Sequence, residues 1–137
     1  MSDYSRREFL GAGSAAVAGA GLSSLSSPAV RAESSVPPSD QLRFGVIGVN
    51  GMGWTDMGAH QKIDGVECTA LCDVDRNVLE KRAGELEEQT GTTPDLYGDY
   101  RRLLEDDDLD FVIIGTPDHW HCRQLVDACQ AGKDVYV

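Results

Sequence analysis

From residue 42 to the C-terminus, short apolar runs alternate with stretches of helical periodicity. Five of the runs read as strands, at residues 42–49, 66–72, 95–97, 111–115 and 135–137. Strands that alternate with helices are joined by right-handed crossovers and form an open parallel sheet. The run 111–115 is continuously apolar, which is typical of a strand buried on both faces. The pattern therefore predicts an α/β fold with a doubly wound parallel sheet, in the strand order 3-2-1-4-5.

Acidic residues stand just before three of the helical segments. Asp75, Asp99 and Asp118 are each predicted to cap the helix that follows, because a carboxylate can accept backbone N–H groups of the first turn. In the second helix, Leu79, Ala83 and Leu86 fall on one face and predict the side that packs on the sheet. In the last helix, the residues expected to face the core are Cys122, Leu125, Val126 and Cys129.

The first strand runs into a glycine-rich turn at the start of a helix. A bound pyrophosphate needs backbone N–H groups at a helix N-terminus and no Cβ in the way. In the spacing Gly-x-Gly-x-x-Gly, Gly48 and Gly53 hold the first and third positions, while Asn50 holds the second. Asn tolerates a positive φ better than most residues. The candidate cofactor-binding residues of the turn are Gly48, Asn50, Gly51, Met52 and Gly53.

The second strand ends at Asp73, 25 positions after Gly48. A carboxylate at this place can accept hydrogen bonds from both ribose hydroxyls of an adenosine. Asp75 is better placed as the helix cap, which leaves Asp73 for the ribose. A carboxylate there would repel a 2′-phosphate, so NAD is favoured over NADP, although the nearby Arg76 weakens that preference.

The first and fourth strands are neighbours in the predicted order, so the loops at their carboxyl ends flank one crevice. The second of these loops reads Thr-Pro-Asp-His-Trp-His at residues 116–121. The nicotinamide end of the cofactor is expected near this loop. Two interpretations of His121 stay open, as a residue of the site or as a ring bonded to the loop backbone. Trp120 is either a wall of the substrate side or partly buried filler, and His60 is expected to be an ordinary surface residue.

Acidic residues outnumber basic ones by 23 to 12, and the net charge is −11. This balance argues against nucleic acid and against an anionic membrane surface as partners. Apolar runs stay shorter than the ~18–20 residues of a membrane span, so no membrane anchor is expected. The segment from His119 to Cys122 lacks a second ligand pair at zinc spacing, so no metal site is expected. Cys68 and Cys72, four apart in one strand, are predicted to face the same side, and all four cysteines are predicted to be buried thiols.

Residues 1–32 have the order of features that marks an export signal. Arg6 and Arg7 precede a mildly apolar stretch, and Val30-Arg31-Ala32 offers a small-x-Ala cleavage site. The pattern resembles a twin-arginine signal peptide. It predicts that the twin-arginine translocase exports the protein to a periplasmic or other extracytoplasmic location. The alternative is a flexible Ala/Gly/Ser tail that happens to carry two arginines. Residues 33–41 are predicted to be a polar linker, and residues 42–137 the folded domain.

Four motifs together resemble the Gfo/Idh/MocA oxidoreductases: GVIGVNGMG, LCDVD, the Thr-Pro-Asp-His-Trp-His loop and AGKDVYV. The resemblance covers residues 42–137. It implies a Rossmann-type NAD(P)-binding domain followed by a larger α+β domain, and hydride transfer at a hydroxyl of a sugar or polyol. It assigns the pyrophosphate to the glycine turn and the ribose to Asp73. The residues that it places on the nicotinamide side are Thr116, Pro117, Asp118 and His121.

The catalytic lysine of that family lies in a Glu-Lys-Pro directly after the fifth strand, so it is expected beyond Val137. The second domain is expected there too, and with it any contacts of a homo-oligomer. No catalytic residue is therefore expected among the 137 residues, and the chain alone is expected to be inactive. A second branch of the family consists of glycosidases that hold NAD and oxidise the sugar transiently. That activity and a non-catalytic dinucleotide-binding module stay open as alternatives.

Overall fold

The computed structural model describes residues 40–137, so the predicted signal peptide and nearly all of the predicted linker lie outside the described residues. Strands and helices alternate through this range. They are β1 (Leu42–Ile47), α1 (Met52–His60), β2 (Val66–Cys72), α2 (Arg76–Thr90), β3 (Asp95–Tyr97), α3 (Tyr100–Leu104), β4 (Phe111–Ile114), α4 (Asp118–Gln130) and β5 (Asp134–Tyr136). The strands form one parallel sheet in the order β3-β2-β1-β4-β5. This confirms the predicted α/β class and strand order.

Two apolar clusters cover the two faces of the sheet. In the first, Phe44 and Val46 of β1 pack with residues from α1 and α2, including Met57 and Leu86. In the second, Ile47 packs with residues of β4, α3 and α4, including Ile114, Leu103 and Ala128. Because helices cover both faces, β1 and β4 are buried on both sides, as the continuous apolar run in β4 predicted.

An irregularity in β2 changes which face its side chains reach. Phe44 pairs with Cys68 and Gly45 pairs with Ala70, so Thr69 is an extra residue between the two pairs. Since side chains alternate along a strand, one extra residue inverts the faces of all residues after it. Cys68 therefore packs in the first cluster and Cys72 in the second. The prediction that both face the same side was wrong.

Helix α4 buries a different face from the predicted one. Gln124 and Ala128 are its buried residues, while Cys122 and Cys129 are exposed. Leu125 packs against the second cluster as expected, whereas Val126 is 46% exposed. The prediction that all four cysteines are buried was therefore wrong for this helix. The physical reason is that the buried face carries Ala128, which is fully buried in the second cluster, and Gln124, whose amide oxygen accepts a hydrogen bond from the Thr116 hydroxyl.

The four thiols should differ sharply in reactivity. Burial raises the pKa of Cys68 and of Cys72 to about 12, and it is the thiolate that reacts. We expect iodoacetamide at about pH 8 to label Cys122 and Cys129 in the native protein, because a thiol needs access and ionisation to react. Cys68 and Cys72 should be labelled only after unfolding. Peptide mass spectrometry measures each site separately. Labelling of the two β2 cysteines as fast as the α4 cysteines would contradict their burial.

Two of the three predicted helix caps are present. The side chain of Asp75 accepts the backbone N–H of Asn77 at 2.9 Å, and that of Asp99 accepts the N–H of Arg101 at 3.0 Å. The third prediction, that Asp118 caps α4, was wrong. Pro117 occupies the N-cap position, and Asp118 is the first residue of the helix. At the first helical position, a carboxylate interacts favourably with the positive end of the helix dipole, but it does not cap the helix.

His60 and Lys133 both have structural contacts. The His60 ring lies 4.9 Å from the Tyr136 ring and 5.9 Å from that of Phe111, so it is a partly buried member of an aromatic group and not an ordinary surface residue. The ammonium of Lys133, a residue only 9% exposed, donates to the carbonyl oxygens of Asp106 and Leu109 at 2.6 and 2.8 Å. Lys133 thereby fastens the acidic turn before β4 to the start of β5.

Across residues 40–137, no helix combines the length and apolar character that a membrane crossing requires. The same part of the chain contains no group of three or more His, Cys, Asp and Glu side chains arranged to hold a metal ion.

Candidate functional site

The turn between β1 and α1 brings two backbone segments together where no side chain would fit. Gly48 and Gly51 have φ values of 88° and 54°, in the left-handed region that favours glycine. A Cβ on Gly53 would lie 1.9 Å from the carbonyl oxygen of Gly48. Among the described residues, no side chain hydrogen-bonds the start of α1 from the N-cap position, which Gly51 occupies. A bare helix N-terminus of this kind offers backbone donors and a partial positive charge to an anion.

Asn50 contributes its side chain and not an unusual backbone conformation. Within residues 40–137, every positive φ belongs to a glycine, so Asn50 does not use its tolerance for the left-handed region. Its side-chain oxygen accepts the N–H of Gly51 at 3.0 Å. Gly51 supplies the backbone reversal that the second glycine position of the motif was expected to need.

Gly115, at the end of β4, is a structural partner of the turn that the sequence argument did not single out. A Cβ on Gly115 would lie 2.3 Å from the Cα of Gly53, and one on Gly48 would lie 2.9 Å from the carbonyl carbon of Gly115. Gly48, Gly53 and Gly115 therefore pack backbone against backbone. The signal that could have found Gly115 is a glycine at the end of the strand predicted to lie beside β1.

Asp73 is joined to the glycine turn through its carboxylate. One oxygen accepts the N–H of Val49 at 3.1 Å, and the other accepts the N–H of Asp75 at 3.0 Å. Each carboxylate oxygen can accept a further hydrogen bond. Asp75 caps α2 as the sequence predicted, and Asp73 lines the crevice; its binding of a ribose stays a prediction.

A crevice of about 600 Å³ lies at the carboxyl ends of the strands. This volume is in the range of small-molecule sites, about 300–1,000 Å³. Five of the ten predicted site residues line it: Gly48, Asn50, Asp73, Thr116 and Pro117. The other five do not: Gly51, Met52, Gly53, Asp118 and His121. Lining residues that the sequence argument missed as candidates include Gly115, Gln124 and the loop segment 98–101 after β3.

Residues of α4 form hydrogen bonds with both the side chain and the backbone of Thr116. Its hydroxyl donates to the side-chain oxygen of Gln124 at 2.5 Å, and its carbonyl oxygen accepts a hydrogen bond from Nε2 of His121 at 2.6 Å. His121 therefore makes the contact expected from the second interpretation of this residue, in which its ring is bonded to the loop backbone. Trp120 lines the crevice with 48% of its surface exposed, as expected of a wall. The loop after β4 is therefore a fixed side of the crevice.

A hydrogen-bonded cluster joins α3 to α4 beside the crevice. The hydroxyl of Tyr100 donates to Asp127 at 2.7 Å, and the guanidinium of Arg123 donates to the same carboxylate oxygen at 2.8 Å. The hydrogen bond to Asp127 raises the pKa of Tyr100, and the bonds from Tyr100 and Arg123 lower the pKa of Asp127. This contact joins the start of α3 to the C-terminal half of α4.

The domain has a parallel sheet, a glycine-rich turn after β1, an acidic residue after β2 and a crevice at the ends of the central strands. Together these features define a dinucleotide-binding domain of Rossmann type. The chain belongs to the Gfo/Idh/MocA oxidoreductase family. The description of the family is "oxidoreductase family, NAD-binding Rossmann fold", and its match covers residues 42–137. The uncapped start of α1, which offers backbone donors to a pyrophosphate, and the carboxylate of Asp73 fit NAD as the cofactor.

Relatives of the chain include sugar-related enzymes that bind nicotinamide cofactors. A protein named glycosyl hydrolase family 109 protein, from Shewanella baltica, is 33% identical over 100% of this chain and 34% of its own length. Among solved structures, the WlbA dehydrogenase from Bordetella pertussis in complex with NADH and UDP-GlcNAcA is 26% identical, with a TM-score of 0.59, over 69% of this chain and 28% of that one. A variant of KijD10, a 3-ketoreductase from Actinomadura kijaniata in complex with TDP-benzene and NADP, is 29% identical, with a TM-score of 0.58, over 69% and 29%. The chain thus spans about a third of the length of the curated relative.

Proposed function

We propose that this chain is the NAD-binding part of an oxidoreductase that transfers a hydride at a carbinol carbon of a sugar or polyol. The observation that carries the proposal is the crevice that joins the glycine turn, Asp73 and Thr116 at the carboxyl ends of three neighbouring strands. When bound, NAD supplies the hydride chemistry. The chain's own residues bind and orient it: the turn at the pyrophosphate, Asp73 at the adenosine ribose, and Thr116 and Pro117 on the nicotinamide side.

The substrate class is inferred from the relatives. The WlbA structure contains a UDP-linked sugar acid with NADH, and KijD10 is a ketoreductase crystallised with a TDP derivative. Both share the fold of this chain at 26% and 29% identity. By analogy with these relatives, the reacting group of the substrate is a hydroxyl or a ketone on a sugar-like ring.

We place the general base outside these 137 residues. Oxidation of a carbinol needs a group that takes the hydroxyl proton. Among the described residues that line the crevice, the carboxylates and the phenol that could take a proton are Asp73, Asp99 and Tyr100, and each already forms hydrogen bonds within the domain. The family resemblance, with a relative about three times as long as this chain, favours instead a lysine following Val137 as the base and a second domain that orients the substrate. Positioning of that kind lowers a reaction barrier by about 7–11 kcal/mol.

Calorimetric titration of the chain with NAD tests the proposal. We expect binding in the micromolar range or weaker, because the chain has the turn and Asp73 without a second domain to close over the nicotinamide. With NAD and a panel of polyols, the absorbance band of NADH should not grow. If no binding were detected at the highest NAD concentration that the titration allows, the proposal would be overturned. Turnover by this chain would overturn the proposed location of the base.

One observation favours a second candidate, an NAD-dependent glycosidase. The relative named glycosyl hydrolase family 109 protein matches the whole of this chain at 33% identity. The full-length gene product separates the two activities. An oxidoreductase should accumulate NADH from a free polyol in proportion to the substrate consumed. A glycosidase should release the aglycone from a chromogenic glycoside with no net NADH.

Export by the twin-arginine route is a separate proposal, on the segment 1–32. Replacing both Arg6 and Arg7 by Lys should leave the protein in the cytoplasm, because the translocase reads the guanidinium pair and not positive charge alone. The matched control is Arg31→Lys, the same change at the third arginine of the segment, which should leave export intact. Cell fractionation with antibody detection measures the distribution. Unchanged periplasmic protein in the double variant would contradict the proposal.

A further inference from the structure

Arg76 begins α2 and Arg101 lies in the first turn of α3, and each is bound by a carboxylate. Arg101 forms a two-pronged ion pair with Asp99, with Nε to Oδ1 at 2.9 Å and Nη2 to Oδ2 at 2.8 Å. Arg76 donates from Nε to Glu80 at 2.6 Å. Arg101 and Asp99 line the crevice, whereas Arg76 and Glu80 do not.

Asp99 stands next to Asp73 at the same edge of the sheet. Cys72 pairs with Tyr97 in the register of β2 and β3, and the N–H of Asp73 donates to the carbonyl of Tyr97 at 3.2 Å. The carboxylates that follow these two strands therefore flank one corner of the crevice. Burial raises the pKa of the Cys72 thiol to about 12, and the charges of Asp73 and Asp99 add to the increase, which reflects how close both carboxylates lie.

The ion pair decides whether a cation is available at this corner. A guanidinium is the side chain best shaped to bind a phosphate through two parallel hydrogen bonds. Arg101 uses Nε and Nη2, one such pair of donors, on Asp99. The hydrogen bonds from Arg101 also lower the pKa of Asp99, so the pair stays charged near neutral pH. A phosphate on the ribose would then meet the carboxylate of Asp73 and an arginine already neutralised.

We propose that Asp99 is a cofactor-specificity residue, which favours NAD over NADP by holding Arg101 away from a 2′-phosphate. The inference rests on the proposed function, since it requires a dinucleotide in this crevice. It adds to Asp73 a second acidic determinant on a different loop, which acts through the arginine that it binds.

The test compares ADP-ribose with its 2′-phosphate, two probes that carry the adenosine half of each cofactor without the nicotinamide. Asp99→Asn removes the charge and keeps a residue that caps helices well. Calorimetry should show that the affinity for the 2′-phosphate, relative to ADP-ribose, rises by about tenfold or more once Arg101 is free to bind phosphate. Asp99→Ser, which also caps, should show the same rise, and circular dichroism verifies that both variants fold.

Two controls make the result specific. Glu85→Gln makes the same change in charge and frees Arg82 further along α2, where neither residue lines the crevice, so the affinity ratio should change by less than about twofold. Arg101→Ala in the Asp99→Asn background should abolish the gain. An equal rise in the Glu85 variant, or no rise in the Asp99 variants, would overturn the inference while leaving the proposed function in place. Failure of ADP-ribose to bind the unmodified chain would overturn the proposed function as well.

Discussion

Replacing Gly53 by alanine should lower the melting temperature of the domain by more than about 10 °C. The added Cβ would lie 1.9 Å from the carbonyl oxygen of Gly48, and Gly53 is also pressed against the backbone of Gly115. Both obstacles are backbone, so neither can move aside by a change of rotamer. Overpacking of this kind costs about 1–3 kcal/mol and occasionally more. For a domain of this size, 1 kcal/mol corresponds to about 4–8 °C.

Gly58 provides the matched control, because it lies in the same helix with open space around the place of its missing Cβ. Gly58→Ala should raise the melting temperature by a few degrees, since alanine is favoured over glycine within a helix by about 0.5–1 kcal/mol. Thermal unfolding followed by circular dichroism gives both values. If the two variants melted alike, the close packing of the turn on β4 would be wrong.

The fold was largely predictable because β propensity, helical periodicity and turn residues agree along this chain. The short run 95–97 was identified as a strand although it has only three residues, and the structure gives Asp95–Tyr97. Asp75 and Asp99 were recognised as caps from their position before a helical pattern. Asp118 misled the same argument because Pro117, which cannot donate a hydrogen bond, takes the N-cap position itself.

Features that depend on tertiary packing could not be read from the sequence. The extra residue at Thr69 leaves no mark in the apolar pattern of β2, yet it sends Cys68 and Cys72 to opposite faces. In α4, periodicity alone favoured the face with Cys122 and Cys129. The observed face carries Gln124, a polar residue that burial disfavours until its hydrogen bond with Thr116 is known.

Gly48 and Asp73, which were chosen for phosphate and ribose recognition, both line the crevice. Their roles toward a cofactor stay predictions. The segment 98–101 was missed because its loop follows a strand of only three residues. Its contribution to the crevice depends on the register between β2 and β3, which a three-residue run does not reveal.

Asp73→Asn should weaken NAD binding by about 10- to 100-fold and NADP binding by much less. Hydrogen bonds to a charged group contribute about 1.5–3 kcal/mol each, and 1.4 kcal/mol corresponds to tenfold in affinity. Access of solvent to the crevice reduces the total for two ribose hydroxyls to about that of one such bond. For NADP, the loss of an acceptor is offset by relief of the repulsion between the carboxylate and the 2′-phosphate. Calorimetric titration with each cofactor gives the ratio.

Asp75→Asn is the control for this change, since it removes one charge two positions away and leaves a residue that still caps α2. Asp75 does not line the crevice, so both affinities should stay within about twofold of the unmodified chain. The amide at position 73 can still accept one of the two backbone N–H groups, from Val49 or Asp75, which preserves part of the support of the turn. Equal losses for NAD and NADP in Asp73→Asn would show that this residue only braces the loop and does not read the ribose.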